Sequence, residues 1–246
     1  MPAVKLVIQF DGTDFHGWQV QDRVRTVQGV LTSALSQMIG AVSLRSSSRT
    51  DAGVHAIAMP VVFRTDKTLP MKAYRRGLNA ILPSDVSVVD ATEVADDFDP
   101  RGWSLGKSYR YRIWNHELPV ALESRYAWHV PNHLDIAAMN EGGAYLLGEH
   151  DFSSFRAAHC DSKSTMRLMH SVRVAKVGDN GLLQVDVCAN AFLRNMVRII
   201  VGTLVDVGTG RKKPVEVEKI LQARSRPVAG PTAPPHGLFL REVRYP

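Results

Sequence analysis

The sequence predicts an α+β protein made of two halves of the same pattern. Three observations carry this. Apolar runs that alternate and apolar runs at helical spacing follow one another in the order β-α-β-β-α-β as far as Val89. The same order, with an extra helix and strand, returns towards the C-terminus. Between the two lies Asp96-Asp97-Phe98-Asp99-Pro100-Arg101-Gly102, acidic and turn-rich. A domain boundary is therefore expected there, giving an N-terminal half over 1–100 and a C-terminal half over 101–246.

Each element has its own signal. Val4, Leu6, Ile8 and Phe10 alternate with Lys5, Val7 and Gln9 as a strand, ended by Asp11-Gly12-Thr13. Thr26 is a good N-cap for a helix carrying Val27, Val30, Leu31, Ala34, Leu35, Met38 and Ile39 on one face, with Gly40 as its stop. Ala41-Val42-Ser43-Leu44 and Ile57 to Phe63 read as strands. Pro70 opens a second helix with Tyr74, Leu78 and Ile81 on its apolar face, and Val86 to Val89 is a strand. Beyond the boundary, Lys107 to Trp114 alternates, with Tyr109, Tyr111 and Ile113 on one side and Ser108, Arg110, Arg112 and Trp114 on the other. A strand-like run ends at Val130 before Pro131, and Leu134 to Leu147 reads as a helix weakened at Gly142-Gly143. Arg167 to Val177 and Leu182 to Cys188 form a hairpin across Gly178-Asp179-Asn180-Gly181. Phe192 to Val207 and Pro214 to Ala223 are helices, and Leu238 opens a last strand. Two ferredoxin-like halves follow.

Composition narrows the function class. The chain has 246 residues, 45% hydrophobic and 22% charged, as expected of a globular protein. No apolar run is long enough to span a bilayer, and the N-terminus enters a strand without signal-peptide architecture, so the protein reads as cytoplasmic. Cys160 and Cys188 suggest no disulfide framework; Cys188 reads as a buried strand filler, and His159-Cys160 has no second pair at metal-ligand spacing. The net charge of +6 favours a polyanionic partner. Basic residues gather at loops and element ends: Arg23 and Arg25, Arg75 and Arg76, Lys107, Arg110 and Arg112, and Arg211-Lys212-Lys213. Each of these is equally readable as a solvated face.

One loop concentrates the chemistry. Ser47-Ser48-Arg49-Thr50-Asp51-Ala52-Gly53-Val54-His55-Ala56 lies between two strand-like runs, where scaffolds commonly present functional groups. It carries a cation, hydroxyls, a carboxylate, a glycine and an imidazole. An Asp two residues before a Gly is often only an Asx-turn, but such a turn does not need Arg49, Thr50 and His55 around it.

Arg49 to Ala56 resembles the central motif of the TruA-type tRNA pseudouridine synthases, and Ser48 stands where many of them carry Gly. Asp11 to Gln19 looks like that family's N-terminal signature, Tyr109-Arg110-Tyr111 with Asn115 like its second motif, and Leu147 to Arg156 like its third. Asn190 to Arg198 is similar to its site-closing helix and Pro234 to Leu238 to its C-terminal motif. The resemblance implies two halves joined into one mostly antiparallel sheet, helices on one face and a cleft between the halves. It implies isomerisation of uridine to pseudouridine at positions 38 to 40 of the tRNA anticodon stem-loop. It implies Asp51 as nucleophile, Tyr109 stacked on the base as proton acceptor, Leu238 as apolar wall, and Arg49 bracing the base stack. Arg194 and Arg198, four apart, share a helix face in this reading; spacing does not choose between them, and the resemblance points to Arg198 as the partner of Asp51. Arg194, Arg23, Arg25, Lys107 and Arg110 are expected to bind the substrate through its phosphates. Family members are homodimers. No cofactor or metal is expected, because the isomerisation gains and loses no atoms. A non-catalytic RNA-binding protein is the rival reading, but no aromatic RNP signature is present. A glycosidic hydrolase would need a second carboxylate, which nothing signals near Asp51.

Overall fold

The computed structural model describes residues 2–158, 160 and 162–246. It divides into two units, Met1–Leu105 with Phe239–Pro246, and Gly106–Leu238. Among the described residues both are α+β with mostly antiparallel strands, ten strands in all.

In the first unit β1 (Ala3–Phe10) lies between β3 (His55–Arg64) and β4 (Val86–Val94), antiparallel to both, with Leu6 opposite Val61 on one side and Ala91 on the other. Leu6 and Ile8 are fully buried, as the alternation requires. Helix α1 (Val27–Ile39) starts where expected: the Thr26 hydroxyl accepts from the Gly29 amide at 3.3 Å, and Gly40 ends it at φ +84°. Helix α2 (Met71–Ile81) buries Tyr74 and Leu78. Ile81, expected on that face, is instead 39% exposed, because the helix ends there.

The strand expected over 41–44 does not form. Ala41 and Ser43 are exposed and only Leu44 is buried, so the run has one anchor and no apolar face. The pairing shifts to a two-residue strand, β2 (Arg45–Ser46), opposite Val62 and Val61. The same edge of β3 takes the final strand, β10 (Leu238–Arg244), in parallel at its other end, with Phe239 opposite His55.

The acidic run around residue 100 is packed against the first unit. Phe98 is buried with Ala3 and Val62, its ring is 5.2 Å from Trp103 and 5.0 Å from Tyr245, and the Tyr245 hydroxyl donates to the Pro100 carbonyl. Lys5 lies 6.0 Å from the Phe98 ring. This is why the first unit extends to Leu105 and takes back the C-terminal strand, where the sequence placed a break near residue 100.

In the second unit β5 (Gly106–Trp114) pairs along its length with β9 (Leu182–Ala189), β9 with β8 (Met166–Val177), and β8 with β7 (Gly148–Asp151), all antiparallel. A short β6 (Trp128–His129) runs parallel to β5. Val185, Val187 and Ala189 of β9 face the core, which puts Gln184, Asp186 and Cys188 on the opposite side. Cys188 is thus half-buried, not the core filler its apolar neighbours suggested. Helix α3 (Ile136–Ala144) is shorter than its pattern at both ends and is capped by Asp135, which accepts from the Ala138 amide. Helix α4 (Met196–Gly208) is buried almost throughout and α5 (Glu216–Ala223) follows. β7 and the 3-10 turns Ser153–Phe155, Arg226–Val228 and Pro235–Gly237 carry no signal in the sequence pattern.

The two units use the same edge device. Asn79 of α2 donates to the Val88 carbonyl and accepts from the Val88 amide of β4. Asn140 of α3 does the same for Val174 of β8. A helix side chain thereby occupies the ladder groups of one strand residue and denies them to another strand.

Candidate active site

In the first unit the site is a loop clamped by its neighbours. Asp51 sits in the turn between β2 and β3. That turn is closed by backbone, the Val54 amide donating to the Asp51 carbonyl at 3.2 Å. The segment after β1 grips the loop on three more bonds. The Trp18 amide donates to the Thr50 carbonyl, the Gly53 amide to the Phe15 carbonyl, and the Gly12 amide to His55 Nδ1 at 2.9 Å. The approach is close enough to require glycine. A Cβ on Gly12 would lie 2.0 Å from the Val54 carbonyl oxygen, and one on Gly17, at φ +86°, 2.6 Å from the Thr50 carbonyl oxygen. Gly53 itself sits at φ +75°. Along the loop Ser48 and Thr50 turn inward while Arg49 is exposed. Asp51 is half-buried.

Arg25 was read as a phosphate contact. It is held from three sides: its guanidinium forks onto Asp85 at 2.7 and 2.9 Å, stacks 4.0 Å from the Phe15 ring centroid, and its carbonyl accepts from the His16 amide. The Asp85 hydrogen bond raises its already high pKa. Arg23, in the same turn, is exposed at φ +63°.

In the second unit the two tyrosines of β5 have different surroundings. Tyr111 is fully buried, its hydroxyl donates to the Pro234 carbonyl at 2.7 Å, and its ring meets Gly237 so closely that a Cβ there would be 2.7 Å away. Burial pushes its pKa far up, so it stays a phenol. Tyr109 is 8% exposed and meets the edge of Phe192 at 5.0 Å. Arg110 forks onto Asp186, its cross-strand neighbour, at 2.8 and 2.9 Å. Lys107 is half-buried at the start of β5.

Arg198 lies in the first turn of α4 and is tied twice to one residue: its Nε donates to the Ala233 carbonyl at 2.7 Å, and its own carbonyl accepts from the Ala233 amide. Nη1 also reaches Asn195 Oδ1 at 3.2 Å. This fixes the segment that leads to Leu238, which is buried. His236 is held below the usual histidine range by burial and by the Arg198 charge, opposed by a backbone bond to Ala127. The helix expected from Phe192 begins only at Met196, because Asn195 adopts a left-handed conformation at φ +60°. Arg194 therefore stands outside the helix, exposed, and does not share a face with Arg198 as the four-residue spacing implied.

The chain matches the tRNA pseudouridine synthase family over residues 6–101 and 144–246. It is 49% identical over its whole length to a tRNA pseudouridine synthase A of Myxococcus xanthus, covering 92% of that protein. It is 46% identical to the namesake of Geotalea daltonii and 44% to that of Geobacter sulfurreducens, covering all of both chains. The chain belongs to the tRNA pseudouridine synthase family. Gly12, Phe15 and Trp18, which bond to the Asp51 loop, and Asn195 and Ala233, which bond to Arg198, fall inside the matched ranges.

Sequence reasoning found the loop but not its clamp. The glycines at 12 and 17 and the ring of His55 were legible only as turn and motif residues. Asp85 and Asp186, far away in sequence, gave no sign that they would hold Arg25 and Arg110. Among the described residues no cluster of His, Cys, Asp and Glu could hold a metal, and no helix is long and apolar enough to cross a membrane. His159 of the His159-Cys160 pair lies outside the described residues.

Proposed function

We propose that this protein isomerises uridine to pseudouridine in tRNA, at positions 38 to 40 of the anticodon stem-loop, in the cytoplasm and as a homodimer. The observation that carries the reading is full-length similarity to proteins named tRNA pseudouridine synthase A, with the Asp51 loop intact.

The roles follow from the chemistry. The reaction breaks the bond from the sugar C1′ to uracil N1 and makes one from C1′ to C5; the C5 proton leaves and N1 gains one. Asp51 is the nucleophile, because an ionised carboxylate can add to the nucleoside and then depart. Arg198, always charged, is assigned as the cation that pairs with that carboxylate. Tyr109 is assigned to stack on the uracil and accept the C5 proton. Tyr111 is unsuited to that task, its hydroxyl being engaged with Pro234. Leu238 is the apolar wall. A base in a stem-loop must first leave its stack, and exposed Arg49 is assigned to brace the gap. Arg23, Arg194 and Lys107 contact phosphates; Arg25 and Arg110, whose charge is shared with Asp85 and Asp186, contribute less to that binding.

The test is tritium release from tRNA labelled at C5 of uridine, with wild type and Asp51→Asn side by side. Release by wild type alone, with both proteins binding tRNA, supports the assignment. Bound tRNA with no release by either refutes it.

A further inference from the structure

We propose that His55 is a positioning residue for the Asp51 carboxylate, acting through Gly12; this rests on Asp51 being the nucleophile. His55 opens β3 and is 1% exposed. Its ring stacks on Phe239, centroids 4.6 Å apart and 21° from parallel. A stacked position of this kind needs only an aromatic ring. Phe239 is its neighbour across the β3–β10 pairing. Burying an imidazole there costs more than burying a phenyl unless its nitrogens are used.

Nδ1 is used at the join between the two segments that form this half of the site. It lies 2.9 Å from the Gly12 amide, which donates to it, and 3.1 Å from Asp11 Oδ1. One ring nitrogen serves only one of these at a time, as acceptor from Gly12 or as donor to Asp11. Asp11 Oδ1 also accepts from the amide and hydroxyl of Thr13, which fixes the carboxylate. On its other side Gly12 is pressed against the Val54 carbonyl. The Asp11-Gly12-Thr13 turn is therefore gripped between the His55 ring and the backbone of the catalytic turn. Val54 is bonded back to Asp51, so any drift of the turn moves the carboxylate. The ring is sealed from solvent. It acts by holding geometry, and misplacing a reacting group by about 1 Å can cost about 100-fold in rate.

The test compares His55→Phe, which keeps the stack and removes the nitrogen, with His55→Asn, which restores a polar atom near the place of Nδ1 and removes the ring. Melting temperature, tRNA Kd and single-turnover rate are measured for each, with Asp51→Asn in parallel. The expected result for His55→Phe is a folded protein whose Kd stays within about twofold and whose rate falls about 10- to 100-fold. His55→Asn recovers at least half of that loss on a logarithmic scale despite a lower melting temperature. A folded His55→Phe at the wild-type rate overturns the inference, and so do rates that simply track melting temperature in both variants. Should His55→Phe not fold, His55→Leu replaces it, and equal rates for the Leu and Asn variants overturn the inference. An inactive Asp51→Asn beside a fully active His55→Phe sinks the clasp alone, whereas an active Asp51→Asn sinks the nucleophile and the clasp together.

Discussion

Tyr109 and Tyr111 point the same way from β5, yet removing one hydroxyl should damage chemistry and removing the other should damage stability. Tyr111→Phe deletes a 2.7 Å hydrogen bond and leaves the partly buried Pro234 carbonyl without that donor. Stranding a buried polar group costs about 1–3 kcal/mol. For a chain of this size each kcal/mol lowers Tm by about 2–4 °C, so the expected fall is about 2–12 °C. Turnover measured well below that Tm should stay within about threefold of wild type, the ring and its packing being retained. Tyr109→Phe keeps its edge contact with Phe192. It loses the proposed proton acceptor, which such groups make worth about 10²- to 10⁴-fold in rate. Calorimetry and single-turnover tritium release on both variants decide the matter. A Tyr111→Phe protein that is fully folded yet inactive, beside an active Tyr109→Phe, would refute the assignment of roles.

Other consequences can be checked separately. Arg194→Gln, removing an exposed cation, should reduce the slope of log Kd against log salt for tRNA by about 0.7–0.9, whereas Arg25→Gln, already forked onto Asp85, should change it by less than about 0.3. Salt titrations that show equal changes would return Arg25 to the role of an ordinary phosphate contact. Asn79→Leu strips the Val88 amide and carbonyl of their partner and should cost about 1–3 kcal/mol, read as a lower urea midpoint at constant m. Acid should destabilise the fold. Bonds from the Arg101 and Gly102 amides hold Asp99 low against its burial. Burial pulls Asp151 upward, but bonds from Ser153 and Thr165 and the Arg224 charge outweigh it. Both carboxyls bind protons more weakly folded than unfolded. Their contribution is therefore complete above the unfolded value of about 3.9 and drains away as pH falls below it. Melts from pH 7 to pH 3 should show Asp151→Asn less acid-sensitive than wild type, and parallel curves would rule this out.

What could be read from the sequence was whatever a short window contains. The alternation of Val4 to Phe10, the Thr26 cap and the Asn180-Gly181 turn are local, and each appears where its pattern put it. The failures are long-range or conformational. Ala41 to Leu44 had strand composition but no second buried residue, so the ladder formed two residues later. Asn195 in the left-handed region delayed α4 by a turn and separated Arg194 from Arg198; nothing in a helical wheel announces a single residue of that kind. The C-terminal strand reads as the close of the second half, yet its parallel pairing with β3 is set by contacts distant in sequence, Phe239 with His55 and Leu240 with Ala56. Arg25 and Arg110 read as free cations because Asp85 and Asp186 are 60 and 76 residues away.

The same distinction explains why the recognisable motifs are longer than their chemistry. Asp51 alone carries the proposed nucleophile, but it stands on a turn closed by the backbone bond from Val54 to Asp51. A backbone-bonded turn can be rigid only if its neighbours approach to hydrogen-bond distance along the main chain, and side chains obstruct that approach. Gly12 and Gly17 are the places where they would. Phe15 and Trp18, both buried, anchor the gripping segment in the core of its own unit, so its carbonyl and amide arrive in fixed positions. The Asp11 to Gln19 signature is therefore the second wall of the Asp51 turn. It follows that a Gly17→Ala change, adding one methyl group with no charge or donor, should lower the single-turnover rate more than it lowers tRNA affinity. The clash of 2.6 Å is with the Thr50 carbonyl, the residue before the nucleophile, and relief must come from moving that peptide. A Gly17→Ala protein with unchanged rate and weakened binding would mean that the segment holds RNA and does not shape the turn.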